Sequence, residues 1–600
     1  MANGNGSTRI VDGQLDWSGG IDSGRVPTIV SDGFDTGLKR NQLAWLTNAT
    51  VRNGGILQRT GWKPLVKNAK WPGLFQGAYM YEPPFADPYI IASIGGRIYQ
   101  VRVDTDNSVV DLSAAFNLTN PPNEPEAFMT QGEQFLVIQA GDLQTLPLFW
   151  DGTTLRRSKG FISKSSLLNE LPAAGPMDYY MGRLWYAFGR QYCAGDIVGS
   201  QVSGTNVPPT NYKFRDSILK TTENPLSLAG DAFIVPTNAG NIRALKHSAN
   251  LDTSLGEGQL YVFTRKVIYA TSVPVTRALW STLTEPLQRV AQRDYGSVGQ
   301  RCVVPVNGDL FYQSIDGIRS LTLAIRYFGV WGNVPISRPE QRVLRFNDRS
   351  LLRFASGINF DNRLWQTVVP FQTKVGVAHQ AVIPLDFDLL GTMSDRLPPA
   401  WEGIYEGLDF LQLMEADFGG LQRGFSFVVS RTTGNIDLWE MTTQDRFDSQ
   451  VNADGDRVTF YLETPAYTWG DPFMLKKLDG LELWCDKMLG TVNFMAEYKV
   501  DQSPCWIFWH AWKQCVAKDC REDPDAITCP DYPVQPYCEG FKATVTMPSP
   551  PNQCEPNNAR PSTEGYQFQI RITIKGWCRV RGIRVYALPK AKAPFKDLVC

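Results

Sequence analysis

A short extended run, a polar turn holding Gly and a second short run bearing an aromatic residue form a unit that recurs from about Gly95 to Trp439 of this 600-residue chain. That unit restricts the fold more than any other feature, because an isolated hairpin buries too little surface to be stable and must find neighbours. Gly95-Gly96 leads into IYQVRV, in which Ile98 and two valines alternate with polar residues as a half-buried strand requires. The same idea returns in EQFLVIQAG, MGRLWYAFG, GQLYVFTRKVIYAT, DNRLWQTVV and RGFSFVVSRTTGNIDLWEM. At Asp151-Gly152 and Asp316-Gly317 the run breaks at a dipeptide suited to a type I′ turn, whose positive φ Gly adopts without steric cost. The supply of 52 Gly, 39 Pro, 31 Phe, 22 Tyr and 17 Trp fits strands punctuated by turns. The expected fold class is all-β. The need of each hairpin for neighbours suggests radial repetition, a β-propeller of about six or seven blades, with a sandwich pair or a β-solenoid as alternatives; uneven spacing argues against a solenoid of fixed period.

The texture changes near Asp454. The cluster NADGDR precedes an aromatic-rich segment, and from Gly480 the runs LELW, GTVNFMAEY and YQFQIRITIKGWCRVRGIRVYAL read as a smaller C-terminal β-sandwich. In its last strands Tyr566, Phe568, Ile570, Ile572 and Ile574 share one face, and Gln567, Gln569, Arg571, Thr573 and Lys575 share the other. The expected division is an N-terminal arm over 1–35, a propeller over 36–455 and the sandwich with a Cys-rich loop over 456–600.

Composition narrows function mostly by exclusion. With 59 Lys+Arg against 60 Asp+Glu the formal charge is -1, so a generally basic nucleic-acid binder is excluded while local patches are not. No apolar run approaches 18 residues, and the first twenty residues lack a basic stretch followed by an apolar one, so neither a membrane span nor a secretory signal is expected. The chain contains no Gly-Lys dipeptide and hence no Walker A loop. Gly256-Glu257-Gly258 lacks the third glycine of a dinucleotide turn. The three histidines, His247, His379 and His510, are too scattered for an H-E-x-x-H motif. No catalytic residue, cofactor site or metal site is expected, and Asp104-Asp106 and Asp454-Asp456 are read as solvated turns.

Nine of the eleven cysteines lie between Cys485 and Cys600, while Cys193 and Cys302 stand apart as packing residues. The run Cys505, Cys515, Cys520, Cys529, Cys538, Cys554 has no C-x-x-C pair, and disulfides, reduced thiols and a structural zinc all remain open for it. From Arg571 to Lys596 every charged residue is basic. Arg571, Lys575, Arg579, Arg581 and Arg584 therefore form a candidate strip facing phosphates or an acidic partner, set against the plainer reading of a solvated strand face.

Several segments together resemble a known family. NQLAWLTNATVRNGGILQRTGW, with Asn41, Ala44, Asn48, Gly55, Arg59 and Gly61, resembles the opening of tail nozzle or tail-tubular propeller proteins of short-tailed bacteriophages, the tail-stabilisation type included. PLFWDGTTL, VFTRKVIYAT, GSVGQRCVVPVNGDLFYQSIDGIRSL and GDPFMLKKLDGLELWCD resemble the same group. The resemblance implies a structural virion protein made in the host cytoplasm and built into the tail. Six identical subunits would form a cyclic ring next to adaptor or fibre proteins, around a channel that double-stranded DNA passes transiently. The dense C-terminal cysteines depart from that pattern. The alternative is a propeller lectin or glycan-acting enzyme, because propellers host both kinds of function.

Overall fold

The structure is a computed structural model. It describes residues 9–590 except 30–36, 53, 68–70, 104–105, 200–211, 223–232, 250–257, 272, 283–286, 290–294, 307, 323–334, 389–399, 443–447, 449–456, 489–490, 502, 516–542 and 548–562. The fold is all-β: among the described residues, a β-propeller of seven blades joined to a β-sandwich.

Each blade begins with a strand on the propeller axis. These first strands are Phe75–Tyr81, Phe128–Gly132, Met177–Tyr180, Ile242–His247, Val304–Val306, Gly357–Phe360 and Tyr405–Phe418. Phe75–Tyr81 lies beside both Phe128–Gly132 and Tyr405–Phe418, which closes the circle. The first four blades are four-stranded antiparallel sheets, and the fifth shows three strands among the described residues. The sixth and seventh are fused, because Tyr405–Phe418 first pairs with Gly376–Asp386 and then, past Gly407 at φ 127, pairs with Leu421–Val429. The seventh blade takes its outer strand, Trp62–Val66, from the other end of the propeller chain, pairing Met441 with Trp62 and Leu438 with Val66. Ladder hydrogen bonds thus close the ring.

Apolar side chains from facing blades meet in separate clusters, such as Tyr81, Leu136 and Trp150 between the first two and Trp62, Trp365 and Phe410 between the last two. Each such cluster removes from water the surface a lone hairpin would expose. Glutamines finish the polar matching. Gln412 donates to the carbonyl of Ala78 at 2.7 Å and accepts its N–H at 3.0 Å, while Gln139 donates to Pro172 and accepts from Ala174. An amide carries both a donor and an acceptor, so one side chain serves two backbone groups that strand pairing leaves unmet.

The two Asp-Gly sites depart from the type I′ expectation. Asp151 and Asp316 are absent from the positive-φ residues, whereas Gly152 and Gly317 have φ of 93 and 148. Trp150 pairs with Leu155, leaving a four-residue loop in which Asp151 accepts the N–H groups of Thr153 and Thr154. Ser314 pairs with Gly317 itself, so the second loop is Ile315-Asp316 and Gly317 opens the next strand. Local side-chain capture by Asp replaces the primed turn at the first site.

The sandwich draws on both ends of the sequence. One sheet contains Lys476–Asp486, Ala543–Met547 and Arg579–Pro589 together with Ile10–Gln14, Ala49–Thr50 and Ile56–Gln58. The other contains Thr459–Glu463, Thr491–Val500, Ile507–Cys515 and Phe568–Lys575 together with Trp45–Thr47. Residues 10–14, assigned above to an arm, thus pair with 583–587, and Trp45–Thr47, Ala49–Thr50 and Ile56–Gln58, assigned to the propeller, are sandwich strands. No local pattern distinguishes a strand that pairs with its neighbour from one that pairs more than 500 residues away.

Candidate functional site

The first strands of the blades surround an axial cavity of about 470 Å³. Toward one end of it, residues just ahead of the fifth blade cross the axis. Gln300 accepts the N–H of Leu245 at 2.9 Å and donates to the carbonyl of Met177 at 3.2 Å. Arg301 donates to the carbonyls of Gln76 and Ala127, at 3.0 Å for the latter. One dipeptide therefore ties the first four blades across the axis and obstructs the cavity.

The polar lining includes Glu82, Gln131, Asp178, Lys246, His247 and Glu415. The second position of the third blade's first strand places Asp178 opposite the end of the fourth blade's, where His247 Nδ1 is 2.8 Å from its carboxylate and Lys246 Nζ is 3.8 Å away. The backbone N–H of His247 donates to the same carboxylate, and the Tyr180 ring stacks on the imidazole at 5.8 Å. Burial pushes the Glu415 carboxyl up to about 7, Glu82 adds repulsion, and the amide of Gln422 opposes the shift by donating to it. The cavity thus holds an Asp–His pair and a carboxyl that burial makes a weaker acid than an ordinary glutamate. The lining hydroxyl of Thr130 donates to the carbonyls of Met129 and Met177, not to His247, so no nucleophile–base pair is assembled there. This arrangement can bind a small polar molecule.

His379 is fully buried, with burial lowering its pKa to about 4, and His510 stacks on Trp512 at 6.1 Å. The three histidines stay apart. Among the described residues no group of three His, Cys, Asp or Glu could hold a metal ion, and no helix is long and apolar enough to cross a membrane. Cys302 is buried in the propeller, Cys193 is half-buried, and Cys485 and Cys578 are buried in the sandwich. Cys505 is an exposed thiol. Cys515 ends a strand, whereas Cys520, Cys529, Cys538, Cys554 and Cys600 lie outside the described residues, as do Asp104, Asp454 and Asp456.

The basic strip is divided. Arg571 and Lys575 point outward from one sandwich sheet and Arg579, Arg581 and Arg584 from the other, because the alternating residues of both strands fill the core between the sheets. Arg571 bonds Glu463 at 3.0 Å, reaches Glu497 at 3.4 Å and lies 4.1 Å over Trp506. Arg579 makes two bonds to Asp486, and Arg581 donates to the carbonyl of Gly54. Arg584, whose side chain is 59% exposed, has Glu482 at 3.8 Å. Lys575 is half-buried. Carboxylates from neighbouring strands take up most of a charge that looks uncompensated along the chain.

Of the residues that carried the resemblance, Asn48 and Arg59 meet at the joint between the two bodies. Asn48, at φ 55, donates to the carbonyl of Thr459 in the sandwich and accepts the N–H of Glu406 in the propeller. Arg59, 2% exposed, bonds Asn48 at 3.0 Å, makes two bonds to Asp448 at 2.7 and 2.8 Å and stacks 3.7 Å over Trp62. Thr442 donates its hydroxyl to the carbonyl of Gly61. Nearby, Arg52 grips Asp386 with two bonds, and Arg363 bonds Glu402, which also accepts from Thr50 and Tyr405.

No protein-family model and no curated protein matches the chain. Among solved structures, YCF48 bound to D1 peptide is 8% identical over 64% of this chain and 96% of its own, with a TM-score of 0.32. Regucalcin from Agrobacterium tumefaciens, a calcium-binding protein, is 10% identical over 65% and 97%, with a TM-score of 0.28. Trypanosoma rangeli sialidase is 9% identical over 90% and 94%, with a TM-score of 0.24. Likenesses this low carry no functional weight, and the propeller rests on the strand order of the chain itself.

Proposed function

We propose that this chain is a structural, non-catalytic subunit of a bacteriophage tail, repeated around the DNA exit channel in a cyclic ring, six-fold by resemblance to the nozzle family. The observation that carries the reading is the joint: Asn48 and Arg59, named first for their resemblance to that family, hold the sandwich against the propeller and so fix the two bodies as one subunit. The propeller axis is not the DNA route in this reading. A cavity of about 470 Å³ crossed by Gln300 and Arg301 is too small for a duplex whose major groove alone is about 12 Å wide. The passage is formed between copies, and a closing head-to-tail contact yields a ring rather than a fibre.

Electron microscopy of assembled particles, with this chain located by a bound antibody, tests the proposal. Six copies around a central passage are expected, and one copy per tail overturns it. A second reading, a glycan-binding propeller, draws on the polar cavity holding Asp178, His247 and Glu415. Saturable binding of neutral oligosaccharides, lost on Asp178→Ala, would favour it instead.

A further inference from the structure

We infer that the segment from Pro335 to Arg349 builds a binding pocket for phosphate esters, separate from the axial cavity and independent of the ring proposal. The pocket has a volume of about 510 Å³ and lies against the Ile315-Asp316 turn of the fifth blade. That is the size of a site for a small organic molecule. Its wall is amphipathic: Ile315 and Leu344 are apolar, while Arg338, Arg345 and Arg349 are exposed guanidinium groups.

The positive charge has little local compensation. Between Asp316 and Glu340 the sequence holds no acidic residue but contains Arg319, Arg326 and Arg338. The nearby carboxylates are Asp316, which also lines the pocket, Asp348 and Glu340. Asp316 bonds the buried Arg319 at 3.2 Å, and Asp348 accepts both the N–H and the hydroxyl of Ser350. Glu340 is buried and accepts the N–H of Gly403 at 3.0 Å. Among the described residues, Arg338, Arg345 and Arg349 have no carboxylate partner. Asn347 uses its side-chain oxygen to accept the N–H of Val369 at 2.7 Å, which leaves its amide N–H groups as further donors on the pocket wall. Planar guanidinium groups bind phosphate oxygens in pairs, and an apolar wall beside them suits the organic body of an ester.

The shared chemistry is the phosphate group, and its source is either a small nucleotide or the backbone of a duplex. The test measures equilibrium binding of pyrophosphate, AMP and a 20-base-pair DNA duplex to the full chain, beside the double variant Arg345→Glu/Arg349→Glu. Lys159→Glu/Lys164→Glu, the same charge change on a loop of the second blade, serves as control. At least one probe is expected to saturate, with affinity at least ten-fold weaker in the arginine variant and little changed in the lysine variant. Binding of AMP and pyrophosphate with weak duplex binding assigns a small-molecule site. Duplex binding alone, with a salt dependence reduced by about one to two phosphate contacts in the arginine variant, assigns the backbone. Absence of saturation by all three probes, or equal weakening by both double variants, overturns the proposal. Should the arginine variant lose its thermal transition, Arg345→Ala alone replaces it, with a weakening of several-fold expected.

Discussion

Glu340 shows what a single buried carboxyl can cost. Its side chain is fully buried, one oxygen accepts the N–H of Gly403 and the other lacks a hydrogen-bond donor. Burial pushes its pKa up to about 8. The unfolded chain releases this proton near the ordinary glutamate value of about 4.3, so between there and about 8 the folded state binds the extra proton. The group's contribution to stability is therefore complete below about 4.3 and is lost as the pH rises through about 8. Glu340→Gln, which keeps the shape without the ionisation, should unfold at higher temperature than the natural chain at pH 8, by an amount equivalent to about 1–3 kcal/mol. The two chains should converge at pH 4. Greater stability of the natural chain at pH 8 would mean that the carboxylate has a partner. The local sequence SRPEQRVL around Glu340 is polar and carries no sign of this burial.

At the scale of the element, Gly317 and Gly152 differ in what surrounds them. Both have positive φ, a region that side chains with a Cβ enter at a cost. A Cβ on Gly317 would lie 2.5 Å from the hydroxyl of Ser337, a buried group that accepts the N–H of Ile318. A Cβ on Gly152 would lie 3.1 Å from the hydroxyl of Tyr81 and has more room. Valine at either site should destabilise by about 1–3 kcal/mol. Gly317→Val should lose the more, measured by denaturant unfolding of each variant, and equal losses would remove the role given to Ser337. The hairpins themselves were legible, because alternation and turn residues act over a few positions. Turn type was not, since it depended on whether Asp151 captured nearby N–H groups and on which residue opened the following strand.

For the whole molecule, stability depends on the joint around Arg59. Its guanidinium is buried between Asp448, Asn48 and the Trp62 ring, so Arg59→Ala leaves a carboxylate and a buried amide without their partner. A loss of about 3 kcal/mol is expected, and Arg59→Lys should recover only part of it because an ammonium cannot make the paired contact. Trp62 belongs to the strand that closes the propeller, while Asn48 bonds the sandwich, so both bodies should loosen together. Limited proteolysis should then cut in the sandwich and in the seventh blade at similar rates. Cleavage confined to one body would show that the joint is not shared. The candidate cavity depends on the same long-range order: Asp178 and His247 are 69 residues apart and meet because the third and fourth blades present adjacent first strands.

By itself the sequence determined the all-β class, the repeated hairpins, the inward face of Phe568, Ile570, Ile572 and Ile574 though not of Tyr566, which is exposed, and the change of texture before the sandwich, because these depend on residue type at spacings of a few positions. Tertiary structure alone decided that the described residues form seven blades, that Trp62–Val66 closes the last of them and that Ile10–Gln14, Trp45–Thr47, Ala49–Thr50 and Ile56–Gln58 complete the sandwich. It also divided the basic strip between two outward faces and set Glu463, Glu497 and Asp486 against it. Strand pairing is chosen by the burial that a whole sheet achieves, and a carboxylate finds its arginine across a ladder rather than along the chain.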